Sequence, residues 1–160
     1  MFNLTIMNSK RFLAIAVLSL MSFQGFASHL LGGEIVWKCK PNGKYQFTLV
    51  LYRECGGITL PTSAQSLATN AGVSISCAFI STTDVVPSCY TGTTTCAGAT
   101  SGTGKMQKYV YRSGDITLTG TPPASGWYFT WSSCCRPSSI TNVVSPGGAS
   151  YLLRAIMYPY

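Results

Sequence analysis

The stretch from Tyr45 to Tyr52 alternates in character: Tyr45, Phe47, Leu49 and Leu51 share one parity, and Gln46, Thr48, Val50 and Tyr52 share the other. A period of two puts each set on one face of a strand, so residues 44–53 read as a strand with one fully buried face. The preceding residues 33–39 are β-rich as well, and Pro41-Asn42-Gly43 separates the two runs. Asn-Gly between such runs predicts a hairpin, because both central residues of a type I′ turn take positive φ. With Asn42 and Gly43 as the loop, Cys39 is expected opposite Gln46, Glu54 opposite Leu31 and Cys55 opposite Leu30. Cys39 and Cys55 then lie roughly 30 Å apart at ~3.3 Å per residue, far beyond the ~7 Å between Cα atoms that a disulfide spans.

Further strands are expected at 72–80, 107–111, 115–118, 126–133 and 149–158, with short pieces near 84–86 and 140–144. Within 126–133, Trp127, Phe129 and Trp131 fall on one face and are expected at the centre of the core. Residues 87–104 carry Gly, Thr and Ser with little periodicity and read as a long loop. Outside residues 12–26 no helical period occurs. Short strands with a turn signal every ten residues or so predict an all-β, immunoglobulin-like two-sheet β-sandwich.

Composition agrees. Only 9% of the 160 residues are charged, Gly (16) and Pro (8) are frequent, and 46% are apolar. A helical bundle needs Glu and Lys on its surfaces, and a disordered chain has too few apolar residues for a core, so both are excluded.

Residues 1–27 have the form of an export signal. Lys10 and Arg11 precede an apolar run over residues 12–26, and Gly25 and Ala27 place small residues before a cut at Ser28. The run is shorter than the ~20 residues a membrane-spanning helix needs. The expected chain is therefore a signal-peptide helix over 1–27 and one β-sandwich domain over 28–160, with no stable membrane insertion after cleavage. The formal charge of +7 then loses Lys10 and Arg11, leaving nine basic residues against four acidic ones. These nine are scattered and form no stripe, which argues against nucleic acid as a partner.

Export makes the seven cysteines legible: Cys39, Cys55, Cys77, Cys89, Cys96, Cys134 and Cys135 read as disulfide candidates. Cys89 and Cys96 flank Gly92 and are expected to form a local bridge. The adjacent Cys134 and Cys135 point to opposite faces of a strand, with Cys39, Cys55 and Cys77 as open choices of partner. The odd count leaves one thiol over. Zinc is a poor alternative, since no CxxC pair exists and His29 is the only histidine.

Catalytic chemistry finds little to work with, and no cofactor, metal or catalytic residue is assigned. The carboxylates are Glu34, Glu54, Asp84 and Asp115. By the expected register Glu34 and Glu54 come near each other, but an ion pair of Glu54 with Arg53 or Arg136 accounts for Glu54 more simply. A Cys or Ser nucleophile would depend on His29, next to the new N-terminus. Gly32-Gly33 and Gly147-Gly148 lack the following helix that a phosphate loop requires. Copper at an N-terminal site using His29 would need a cut before Ala27, which puts bulky Phe26 at the cleavage position.

Several segments together carry a resemblance. Residues 28–35 read Ser-His-Leu-Leu-Gly-Gly-Glu-Ile, and 45–57 run from Tyr45 through Tyr52-Arg53-Glu54-Cys55 to Gly57. Val110-Tyr111, Gly126-Trp127, Cys134-Cys135-Arg136-Pro137 and Ile140-Thr141-Asn142 follow in order. This pattern resembles the N-terminal module of large exported, gliding-motility-associated surface proteins of Bacteroidetes that carry PKD-type repeats. The resemblance implies a non-catalytic secreted or cell-surface module for adhesion or gliding-motility-associated assembly. Its partners would be other surface proteins or surface polysaccharide. Such proteins continue into further domains, whereas this chain ends at Met157-Tyr158-Pro159-Tyr160. A shortened reading frame and a genuine short secreted protein both fit. The alternative function is a secreted carbohydrate-binding module, with Tyr52, Tyr90 or Tyr109 as stacking platforms.

Overall fold

The computed structural model describes residues 30–85, 95–99, 104–134, 136 and 140–159. Seven strands follow in chain order: β1 (Leu30–Cys39), β2 (Tyr45–Glu54), β3 (Gln65–Thr69), β4 (Ile75–Val85), β5 (Met106–Ser113), β6 (Trp127–Ser133) and β7 (Tyr151–Met157). One 3₁₀ turn, Pro146–Gly148, precedes β7, and no α-helix occurs among the described residues. All six pairings are antiparallel and link the strands in the order β1-β2-β5-β4-β3-β6-β7.

The alternating run of β2 does what its pattern dictates. Phe47, Leu49 and Leu51 are fully buried, and the same face continues to Arg53. Across the ladders Leu49 meets Ile35 of β1 and Tyr111 of β5, and Leu51 meets Gly33 and Tyr109. Three strands separate β2 from β6 in the sheet, yet the rings of Phe47 and Phe129 lie 4.5 Å apart, centre to centre. Trp37 of β1 also reaches Phe129, at 5.9 Å. The sheet therefore rolls over on itself, nearly as a barrel, and its concave face is the core. Trp127, Phe129 and Trp131 are buried there, as the alternation predicts.

Two devices bend the sheet. β3 divides its pairing: Gln65, Ser66 and Leu67 pair with β4, while Ala68 and Thr69 pair with β6. β4 carries a bulge between Phe79 and Ser81, which leaves Ile80 half exposed and adds local twist. The roll brings β1 against β7 at one end. A Cβ on Gly33 would lie 2.7 Å from Leu153 Cδ1 and 2.5 Å from Val50 O, so only glycine permits that approach.

Three sequence expectations are corrected. The β1–β2 hairpin has three loop residues: Lys40 N donates to Lys44 O at 2.8 Å, and Gly43 N donates to Lys40 O at 3.0 Å. Gly43 has φ of 73°, while Asn42 is not among the residues with positive φ. This is the type I turn with a glycine bulge; Pro41 pre-sets its first central φ. The register moves by one, placing Cys39 opposite Tyr45 and Lys38 opposite Gln46. Residues 115–118 contribute one bridge, Tyr45 to Ile116, because Asp115 is held by Lys40 and Asn42 of the hairpin. Residues 140–144 form no strand, whereas β3, carried by a single buried apolar residue at Leu67, escapes the pattern altogether.

Candidate functional site

The end of β2 builds a polar clamp. Arg53 is buried, with 6% of its surface exposed, and stands opposite Gln107 of β5. Its Nε and Nη2 donate to Gln107 Oε1 at 2.9 and 2.6 Å, and Nη1 donates to Gly57 O at 2.7 Å. The guanidinium also lies 5.9 Å from the Tyr109 ring centre. A buried guanidinium must saturate its donors to offset lost hydration, and this one does so on carbonyl oxygens. Gln107 passes the link on, donating through Nε2 to Asp84 Oδ1 at 2.8 Å. Asp84 Oδ2 accepts the backbone N–H of Cys96 at 2.9 Å. The Gln107 and Cys96 donors hold the Asp84 carboxyl below its ordinary pKa.

The disulfide joins this clamp. Cys55, the residue after β2, bonds to Cys96, and Cys55 N donates to Lys105 O at 2.9 Å. Three strands (β2, β4 and β5) thus fix the 54–57 turn and the 95–99 segment. The expected Cys89–Cys96 bridge is corrected: Cys96 is taken by Cys55. The short spacing favoured Cys89, but β5 sets the ends of β2 and β4 side by side, Glu54 and Val85 both pairing with Met106, and Cys55 and Cys96 come to 5.1 Å between Cα atoms. Cys134 is disulfide-bonded as well. Cys39 is an exposed free thiol and Cys77 a buried one. Burial pushes the Cys77 thiol up to about 11. Cys89 and Cys135 lie outside the described residues.

At the opposite end, by the β1–β2 hairpin, two adjoining depressions of about 380 and 220 Å³ share Tyr45, Met157, Tyr158 and Pro159. The larger adds Trp37 and Cys39, the smaller Trp127 and Leu118. Among the described residues, no carboxylate lines either one. A third gap, of about 410 Å³, opens between β1 and β7 and is lined by Ile35, Val36, Trp37 and Ala155.

The tyrosine platforms fare unevenly. Tyr109 is buried, 2% exposed, beneath Arg53 and cannot present a face to a sugar, which corrects that expectation. Tyr52 is half-buried between Gly32 and Lys108, and Tyr90 lies outside the described residues. Sequence reasoning missed the aromatic groove, whose residues come from β1, β2, β6 and the segment after β7. Glu34 and Glu54 are not brought together. Glu34 stands opposite Val50 and Glu54 opposite Met106, about 13 Å apart along β2. Arg136 stacks over Tyr151 at 5.1 Å and donates through Nε to Ser150 O. His29 lies outside the described residues. Among the described residues, no group of three or more His, Cys, Asp or Glu could hold a metal, and no helix is long and apolar enough to cross a membrane. No family model, curated protein or solved structure matches the chain.

Proposed function

We propose that this chain is a non-catalytic, exported β-sandwich module that serves adhesion or gliding-motility-associated assembly at the cell surface. The observation that carries the reading is the Cys55–Cys96 bond with the Arg53–Gln107–Asp84 clamp beside it. Disulfides persist in oxidising compartments. Polar side chains here are spent on fixing a turn and a loop segment rather than on meeting at a reaction centre. Loops held on a rigid scaffold are where contact surfaces are built.

An immunoglobulin-like assignment of the sandwich is supported by strand order. Lettered in chain order, β1-β2-β5-β4 and β3-β6-β7 correspond to ABED and CFG, with β3 paired to both groups. Antibody domains join the second and sixth strands by a disulfide; the corresponding contact in this chain is the Phe47–Phe129 pair. The alternative, a carbohydrate-binding module, is favoured by the groove of Trp37, Tyr45 and Tyr158, since aromatic faces stack on sugar rings.

Deletion of the reading frame in its source organism tests the main reading. Attachment to glass and surface spreading should fall and should return with the wild-type gene. Unchanged attachment and spreading would refute it. A glycan array with the purified protein tests the alternative, which requires binding to a defined sugar that Trp37→Ala abolishes.

A further inference from the structure

We infer that Asn42 is a site of spontaneous deamidation, a covalent change at the hairpin tip that contact with Asp115 holds in check. The chemistry needs no enzyme. Gly43 N gives its proton to hydroxide and bonds to Asn42 Cγ; the Cγ–Nδ2 bond breaks and its nitrogen leaves as ammonia. Water then opens the five-membered ring at either carbonyl, giving aspartate or its isoaspartyl isomer. A following glycine favours ring closure, because no Cβ obstructs the attacking nitrogen. Of the asparagines in residues 28–160, Asn42 alone precedes glycine; Asn70 precedes Ala71 and Asn142 precedes Val143. Asn42 and Gly43 are both exposed, and a Cβ built on Gly43 would meet nothing within 4 Å, so solvent base reaches the reacting atoms freely.

The folded turn opposes the reaction. Asn42 occupies the second central position of the type I turn, where ψ is about 0° and Gly43 N eclipses the Asn42 nitrogen. Ring closure requires Gly43 N to eclipse Cβ instead, a rotation of roughly 120° about the Asn42 Cα–C bond. That rotation breaks the bond from Gly43 N to Lys40 O, at 3.0 Å. The side chain is held as well: Oδ1 accepts from Lys44 N at 3.1 Å, and Nδ2 donates to Asp115 Oδ2 at 3.3 Å. Asp115 is itself fixed. Its other oxygen accepts from Lys40 Nζ, and the next residue, Ile116, exchanges two backbone hydrogen bonds with Tyr45, each at 2.8 Å. Deamidation therefore waits on local opening of the tip, and Asp115 resists that opening from outside the hairpin. The change is one-way in effect. Aspartate at position 42 replaces the Nδ2 donor by a second carboxylate beside Asp115, and like charges at that range repel. The isoaspartyl form routes the backbone through Cβ and lengthens the turn. Either product loosens the tip beside Cys39 and Tyr45, which line the larger aromatic depression.

The test incubates the exported protein, Asp115→Ala and Asp115→Asn at mildly alkaline pH and digests timed aliquots. Peptides carrying position 42 are read by the mass difference between OH and NH2 and by paired aspartyl and isoaspartyl peaks. Wild type in urea, disulfides intact, sets the unrestrained rate. Conversion should occur at Asn42 and be about tenfold slower in the folded protein than in urea. Asp115→Ala should speed it about threefold or more, with Asp115→Asn between, since its amide oxygen still accepts from Asn42 Nδ2. Amide exchange over 45–52 checks that the ladder persists; if the Ala variant loses it, the wild-type comparison and Asp115→Asn decide. No conversion in urea, or equal rates folded and in urea, would overturn the inference. An unchanged rate in Asp115→Ala would overturn it too. Equal acceleration in both variants would assign the effect to lost negative charge beside the attacking nitrogen and sink the role of the contact.

Discussion

Replacing Cys55 and Cys96 together by Ala opens a cross-link between residues 41 apart in sequence. In the chain-entropy account, a closed loop of that length removes about 13 cal/mol/K from the unfolded ensemble, or about 4 kcal/mol at 25 °C. A Cys89–Cys96 bridge would have contributed only about 2.5 kcal/mol by the same relation. Total stabilities of domains are ~5–15 kcal/mol, so the loss is large. The folded state should keep its shape, because Arg53, Gln107 and Asp84 still hold the 54–57 turn and the N–H of Cys96. Urea unfolding of the exported protein and the double variant, followed by tryptophan fluorescence, gives the difference directly. The expected result is a lower midpoint with an equal or steeper slope, because the unfolded chain without its cross-link is more expanded, with peptide mapping of the non-reduced wild type yielding Cys55 joined to Cys96. A loss below about 1 kcal/mol, or a map joining Cys96 to Cys89, would refute the reasoning.

Other outcomes follow from the core and the clamp. Phe129→Ala removes a fully buried ring tilted against Phe47 and should cost about 3–5 kcal/mol in the same urea assay. Gly33→Val forces branched carbon against Val50 O and Leu153, and a loss of about 1–3 kcal/mol with weakened β1–β7 contact is expected from unfolding and amide exchange. Asp84 and Asp115 have carboxyls held below their ordinary pKa by donors from Gln107 with Cys96 and from Lys40 with Asn42 respectively. Depressed folded-state pKa values give stability that is present above the unfolded carboxylate range and is lost as pH falls through the folded values. Asp84→Asn should therefore flatten the acid side of the stability–pH curve below about pH 4, where unfolded carboxylates titrate. A thiol reagent should label Cys39 at once and Cys77 only on unfolding, since burial keeps the latter protonated, as mass spectrometry of timed aliquots would show.

The local pattern alone determined much of the strand content. Alternation in β2 and in Trp127–Ser133 assigned the buried faces correctly, because side-chain period in a strand is a property of the backbone and needs no partner. The hairpin was legible as a hairpin, but its register was not. Pro41 shifts the loop from two residues to three, and only the Lys40–Lys44 closure distinguishes the two. β3 and the disulfide required the tertiary structure. Gln65–Thr69 has one buried apolar residue and forms a strand because β4 and β6 both bond to it. Cys55 meets Cys96 because β5 lies between β2 and β4 and aligns their ends, a closeness that sequence separation conceals. The aromatic groove and the gap between β1 and β7 belong to the same class. Their residues come from strands at opposite ends of the hydrogen-bonded order, and nothing short of the fold's closure brings those ends side by side.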